Sequence, residues 1–454
     1  MRVAKKSAQP LTHPDVLIVG GAIAGSVLAC LLRKKGLSVV LAERSAEPRK
    51  IFKGEYLQPA VVDFLHEIGM RSVFRSKSVA KVRELRFRDL DTSGKVCADL
   101  LMKYPKGKSA RSIHHFDLLT NLFRINRVKL GINFWSNATL TPLNNGARDF
   151  LNHPKFRLEA PGREAVEIEP RWVVGCDGRS SSVRKWMGLE EPTERDQTVT
   201  LGAGREFIMG MEIPSLAPKP DRYEVIRTAG HGTVSAFSLG EDGQRIYYSS
   251  PARENLAKAA AEDIRQILSE IDPITHIGIA SPTATAVGSL ANTTTFHGCA
   301  KGRFLLAGDA VAVTTPYGGQ GMTLATEQAR YLGENFDWSA SSKLSLTLAT
   351  RAYARFAKKG YERVNLLNFG LYYLFFTRQP FYKHSTRYMA ETWKERPELG
   401  ARVMRLFAGI DRDRPSIREL IDLWGINRVK PMIENASVMI KRSAGELLFD
   451  RLKV

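Results

Sequence analysis

The chain has 454 residues, 43% hydrophobic and 25% charged, a composition that suits a folded protein of two or three domains and excludes wholesale disorder. Four scattered cysteines, Cys30, Cys97, Cys176 and Cys299, form no CxxC pair and exclude a disulfide framework or a cysteine-rich zinc site; no run of about 18 apolar residues predicts a membrane span. The outlying quantity is charge, 67 Lys and Arg against 47 Asp and Glu for a formal +20, yet no nucleic-acid motif or aromatic–basic repeat accompanies it, so the charge points either to an acidic surface such as a membrane or to the general proteome chemistry of the host. Residues 1–14 lack the apolar core and small-residue cleavage site of a signal peptide, so the expected compartment is the cytoplasm, with membrane association as an addition to it.

From Asp15 the order is strand, glycine turn, helix, strand. Val16–Val19 is a β-branched run suited to a buried parallel strand; Gly20, Gly21, Ala22, Ile23, Ala24 and Gly25 follow, then a helix over 26–35 and a strand over 38–42 that closes on Glu43 and Arg44. Helices are predicted over 60–67 and 117–128, and short antiparallel strands over 156–160 and 166–168. Residues 195–290 alternate in short segments, such as 198–201 and 245–248, separated by Gly/Pro turns, the pattern of a half-buried antiparallel sheet. Residues 303–309 form another buried strand running into a Gly-rich loop, and the chain from about 322 to its end is helical in pattern.

The turn reads Gly20-x-Ala22-x-x-Gly25, a variant of the dinucleotide fingerprint G-x-G-x-x-G with alanine at the middle position. Small residues there let the amides of a helix N-terminus approach a pyrophosphate. Glu43, at the end of the second strand, can accept hydrogen bonds from two ribose hydroxyls. The turn serves FAD and NAD alike, and a ligand-free tight strand–helix turn is the alternative.

Two later segments bear on the choice. Residues 175–184, GCDGRSSSVR, resemble the G-A-D-G-x-x-S-x-V-R element of the para-hydroxybenzoate hydroxylase superfamily, and residues 308–322, GDAVAVTTPYGGQGM, resemble its G-D-A-x-x-x-x-P-x-x-G-Q-G-x-N element. With the first turn they follow that family's order over residues 15–330. The resemblance implies an α/β fold: a Rossmann-like FAD-binding domain of the glutathione-reductase type (residues 15–75, 111–192 and 291–340), an inserted antiparallel β-sheet substrate domain (76–110 and 193–290) and a helical C-terminal region (341–454). It implies that Asp309 accepts a hydrogen bond from a ribityl hydroxyl, with capping of the following turn as its alternative. Pro316 then fixes a loop in which Gly318, Gly319, Gln320 and Gly321 present amides to the flavin just before a helix. Asp177 and Arg184 are implied near the cofactor, with a salt bridge inside their loop as the alternative. Met322 stands where the family often has asparagine, and His115 stands where it usually has an arginine that reaches toward FAD, a surface or core histidine being equally compatible.

The implied chemistry is that of an FAD-dependent monooxygenase. NADH or NADPH visits as a transient reductant, reduced flavin and O2 form a C4a-hydroperoxide in a dry pocket, and one oxygen hydroxylates or epoxidises the substrate. No nucleophilic triad or metal cluster is visible, and none is needed. The segment 52–59, FKGEYLQP, resembles the G-E-x-L-Q-P stretch of squalene epoxidases, and His114-His115 resembles their paired histidines; Tyr56, Gln58 and Tyr317 become pocket candidates. The same Gly54-Glu55 and Pro59 resemble the G-E-x-x-x-P stretch of flavin-dependent halogenases, but their W-x-W-x-I-P signature is absent. The apolar run 364–376 reads either as a core helix or as a lipid-facing or substrate-lining one with Lys358, Lys359, Arg363 and Arg378 as headgroup anchors. A hydrophobic substrate follows: a polyene, quinone precursor or alkyl aromatic. The alternatives are an FAD-dependent reductase of prenyl double bonds, as in geranylgeranyl reductases, and a non-catalytic membrane-associated flavoprotein.

Overall fold

A computed structural model describes residues 11–48, 54–143, 147–189, 207–214, 219–228, 232–249, 285–291, 295–315, 317–375 and 380–413, with isolated positions 266, 269, 416, 419 and 423. The expected strand at 198–201, Pro316, Arg378 and residues 424–454 of the expected helical tail lie outside them.

The β-branched and leucine runs assemble the central sheet. Its order is Ala300–Lys301, Phe304–Leu306, Trp172–Gly175, Val16–Val19, Val39–Glu43 and Asn133–Ser136, parallel except where the first doubles back antiparallel on the second. Val16, Leu17, Ile18, Val173, Val174, Phe304, Leu305 and Leu306 are fully buried, which is why these strands are unbroken apolar runs rather than alternating ones. Each such side chain contributes about 1.5–3 kcal/mol by leaving water.

The first helix spans Ile23–Lys34, three residues earlier than the glycine pattern suggests. Gly25 belongs to the helix itself: a Cβ there would lie 1.9 Å from the Gly20 carbonyl oxygen, so the glycine serves close approach and does not delay the helix. Helix Gln320–Glu334 packs alongside, close enough that a Cβ at Gly333 would lie 2.4 Å from Leu31. Helix His115–Arg124 begins two residues before the expected start and passes at Ile125–Lys129 into a single wide π turn. That turn brings Asn126, fully buried, under the glycine loop.

The second body is a seven-stranded sheet in the order Thr285–Ala291, Phe207–Ile213, Gln244–Ser249, Gly232–Ser238, Arg222–Thr228, Glu84–Leu90, Val96–Lys103. It departs from the purely antiparallel expectation at one junction, where Arg222–Thr228 runs parallel to Glu84–Leu90. Parallel neighbours need a long crossover, and 131 residues separate these two strands in sequence. A buried Asp89–Arg227 pair, at 2.5 and 2.9 Å, fastens that junction. Smaller three-stranded sheets are formed by Gly54–Leu57, Ala110–His114 and Ala80–Val82, and by Thr139–Pro142, Phe156–Glu159 and Val166–Ile168, the last two antiparallel as expected.

Helices Lys343–Phe375, Pro380–Glu395 and Pro397–Phe407 follow. Met389, Trp393, Val403, Met404 and Phe407 join Phe87, Leu100 and Met102 in a second core on the seven-stranded sheet. The long helix corrects one expectation. Arg363 is no headgroup anchor, being buried and paired with Glu327 at 2.5 Å, while Val364 and Leu367 are buried in the two cores. The side chains of the remainder of the apolar run, from residue 369 on, lie outside the described residues. Among the described residues no helix is long and apolar enough to cross a membrane.

Candidate functional site

Strand register brings the distant motifs into one row. Val19 pairs with Ala42 on one side and Gly175 on the other, and Gly175 pairs with Leu306. The glycine turn at 20–25, Glu43, Cys176-Asp177 and Gly308-Asp309 therefore all emerge at the carboxyl ends of four adjacent parallel strands, the edge at which open α/β sheets bind ligands.

The glycine turn is braced from several directions. Gly20 has φ +107°, and a Cβ on it would sit 2.4 Å from the Cys176 carbonyl oxygen. Glu43 accepts the Gly21 N–H at 2.8 Å on one carboxylate oxygen and the Ser45 N–H at 2.8 Å on the other, so it holds the turn and the strand end together and keeps further lone pairs for hydroxyl donors. Asn126 donates to the Ser26 hydroxyl, which donates to the Gly21 carbonyl, both at 2.8 Å. Phe123 lies 3.4 Å from where a Gly21 Cβ would be. Sequence reasoning missed Ser26, Phe123 and Asn126; nothing local marks a residue one hundred positions away as a brace. The helix entered at Ala22 carries no side-chain cap, so its first amides remain oriented for an anion. Arg44 is exposed.

Asp177 turns inward on its own loop. Its carboxylate accepts from the Ser181 hydroxyl and the amides of Ser182 and Val183, capping the short helix Ser182–Trp186. Arg184, fully buried, donates to the carbonyls of Arg179 and Ala310 and so ties this loop to the Gly308–Ala310 turn. Burial pushes the Cys176 thiol far up, with the Asp177 charge adding to it, and burial pushes Cys299 up to about 12; both are packing residues rather than nucleophiles.

The Gly308 amide donates to the buried Gln328 side chain at 2.7 Å, and a Cβ at Gly308 would come within 3.4 Å of Ala24 and 3.6 Å of Ala325, so the first and third motifs touch. Gly318 and Gly319 are both left-handed, at φ +71° and +62°. Gly319 leads into helix Gln320–Glu334 with no side-chain cap, which gives a second uncapped helix start at this edge. Met322 packs on the main core. The side chain of Tyr317 lies outside the described residues.

Gln58 is buried and donates to the Gly318 carbonyl at 2.7 Å, while accepting from the Tyr104 hydroxyl at 2.8 Å. Tyr56 packs against Tyr223 and Phe237, with centroids 5.1 and 5.7 Å apart, and Phe237 continues to Tyr247 at 6.0 Å. Burial raises the phenols of Tyr56, Tyr104 and Tyr223, and the strand register sets the buried Arg245 opposite Phe237 and Glu212 opposite Arg245, so this aromatic face of the seven-stranded sheet borders a charged pair. Beside it His114 meets charged groups: Glu212 at 3.4 Å, Asp242 at 3.6 Å and Arg245 at 3.3 Å. Burial alone would raise Glu212, but the His114 hydrogen bond and the Arg245 charge hold it below the usual carboxylate range. His115 is buried at the first position of its helix.

Comparison with known proteins matches this arrangement. A relative from Streptomyces rimosus, a 12-dehydrotetracycline 5-monooxygenase/anhydrotetracycline 6-monooxygenase, is 28% identical over 345 residues, 74% of this chain; the chain spans 64% of that relative's length. The squalene monooxygenase of Rattus norvegicus is 25% identical over 185 residues, covering 39% of this chain and 31% of that protein. The solved structure of p-nitrophenol 4-monooxygenase from Pseudomonas putida superposes with a TM-score of 0.67 at 16% identity, over 91% of this chain and 99% of that one, a likeness of fold. The family model described as "FAD binding domain" matches residues 13–339. Two uncapped helix starts, the glycine cradle and the strand-end carboxylate fit a dinucleotide of that kind, and the chain belongs to the FAD binding domain family, with FAD as its cofactor.

Proposed function

We propose that this chain is an FAD-dependent monooxygenase that takes electrons from NADH or NADPH and hydroxylates or epoxidises a hydrophobic, ring-bearing small molecule. The observation that carries the reading is the row of cofactor-type loops at four strand ends, with an aromatic face of the seven-stranded sheet close to the last of them. In this reading residues 15–75, 111–192 and 291–340 serve the cofactor, and 76–110 with 193–290 serve the substrate. The amides of Gly20–Gly25 hold the pyrophosphate, Glu43 the adenosine ribose, Asp309 a ribityl hydroxyl, and the amides of Gly318–Gly321 the pyrimidine edge of the flavin. When bound and reduced, FAD supplies the activation of dioxygen, so that one oxygen atom enters the substrate and the other leaves as water. The protein's part is to hold the reacting partners and keep water out; the half-buried Tyr223 and Tyr247 offer ring faces for a planar substrate, with Tyr56 and Phe237 buried behind them. The tetracycline monooxygenase among its relatives supports a polycyclic aromatic of that shape.

The test is oxygen incorporation. FAD-loaded chain given NADPH, isotopically heavy dioxygen and anhydrotetracycline or a related fused-ring phenol should yield product one heavy oxygen richer. Product formed under strict anaerobiosis would sink this reading in favour of the prenyl-type reductase. Asp309→Ala is expected to weaken FAD binding by about tenfold or more, the scale of a lost hydrogen bond to a charged group, as measured by flavin fluorescence titration.

A further inference from the structure

We infer that Gln58 is a positioning residue for the flavin-facing loop, held in register by Tyr104 and Tyr56. The inference rests on the reading above that the amides of 318–321 face FAD. The Gly318 carbonyl accepts two side-chain amides, Gln58 Nε2 at 2.7 Å and Gln320 Nε2 at 3.1 Å. Gln320 also donates to the Phe407 carbonyl at 3.0 Å, which anchors that side of the loop to the end of a C-terminal helix. The other anchor is Gln58, and its orientation has one solution. Its Nε2 must face the Gly318 carbonyl, and Oε1 then accepts the Tyr104 hydroxyl proton at 2.8 Å. With that proton committed, the 3.1 Å contact between Tyr56 and Tyr104 is donated by Tyr56. Tyr56, Tyr104 and Gln58 thus form three donors in series, all directed at one carbonyl of the left-handed Gly318–Gly319 turn. A serial chain of this kind polarises each member, and removing an inner one loosens everything downstream.

Tyr56 reaches the loop twice. Its backbone oxygen lies 3.0 Å from where a Gly319 Cβ would be, while its ring lies on Tyr223 and Phe237. The relay therefore connects the aromatic sheet face to the helix start whose partial positive charge would act on the flavin. Loosening it should reduce that charge's effect on the anionic forms of the cofactor without emptying the site, since the pyrophosphate and ribose contacts lie elsewhere.

The experiment uses the full chain loaded with FAD, with sulfite as the probe, because sulfite adds to flavin N5 and leaves an anion that the same positive end stabilises. Tyr104→Phe keeps the ring and removes both hydrogen bonds. It is expected to retain FAD while weakening the sulfite adduct by about fivefold, the factor that one net hydrogen bond is worth, and to move the flavin midpoint potential to more negative values. Tyr56→Phe removes only the terminal hydroxyl, should shift both readouts in the same direction by less, and serves where Tyr104→Phe does not fold. FAD-loaded variants with wild-type sulfite affinity and potential would overturn the relay while leaving the cofactor reading intact. A wild-type chain that takes up no FAD would overturn both.

Discussion

Gly25→Ala is expected to produce a colourless chain. The added methyl carbon would stand 1.9 Å from the Gly20 carbonyl oxygen and 3.3 Å from Ile18, and the closer of these neighbours is backbone rather than the end of a flexible side chain. Gly20 cannot retreat, because its own missing Cβ already lets the Cys176 carbonyl close on it from the neighbouring strand. The turn must therefore open and carry the first helix amides away from the cofactor. Two lost amide hydrogen bonds to a charged pyrophosphate, at about 1.5–3 kcal/mol each, lower FAD affinity by about 100-fold or more. The ratio of 450 to 280 nm absorbance in purified protein reads it directly, and Gly36→Ala is the contrast. Gly36 is also left-handed, at φ +83°, but a Cβ there meets nothing within 4 Å, so that variant should lose about 1 kcal/mol of stability and stay yellow. A yellow Gly25→Ala protein with wild-type FAD affinity would mean that this turn does not hold the pyrophosphate.

The second large effect lies away from the cofactor. Glu327 and Arg363 form an ion pair at 2.5 Å with both side chains about nine-tenths buried, and Arg412 approaches the other Glu327 oxygen at 3.7 Å while its carbonyl accepts from Arg363. The three residues join helix 320–334, helix 343–375 and the turn after the last described helix. Glu327→Ala would leave Arg363 buried beside a second guanidinium with no counter-charge. That costs about 3–5 kcal/mol, far beyond what a surface pair contributes. A urea unfolding midpoint measures it. The double variant Glu327→Met with Arg363→Met should recover most of the loss, since apolar side chains of similar volume carry no uncompensated charge. A single variant as stable as wild type would show that water reaches the pair.

How much of this was legible beforehand varies with the range of each interaction. The glycine turn, the strand-end Glu43 and the Gly308-Asp309 loop were readable because each is a covalently short pattern whose residue types answer to local geometry: small residues where backbones meet, a carboxylate where a strand stops, glycines where φ is positive. The apolar runs likewise specified buried strands, because parallel strands covered on both faces admit little else. Even there, the sequence pattern puts Gly25 at the end of the turn although it lies inside the helix, because a glycine required for close approach leaves the same mark in a sequence as a glycine required for a bend.

Roles that depend on a partner far along the chain were decided by tertiary structure alone. Arg184 reaches 126 positions ahead to the Ala310 carbonyl, whereas Asp177 keeps its carboxylate on partners four to six residues away in its own loop. Of the adjacent histidines, the end of a strand hands His114 to Glu212, Asp242 and Arg245 and buries His115 in a helix start. Arg363 resembled a headgroup anchor until helix packing paired it with Glu327. Gln58, a pocket candidate by its motif, meets the Gly318 carbonyl 260 residues away. A sequence carries the backbone's local permissions and the alternation of polar and apolar groups. Which buried donor meets which acceptor is settled only when two segments are pressed together, because leaving either group unpaired in a dry interior costs more than the local preferences can offset.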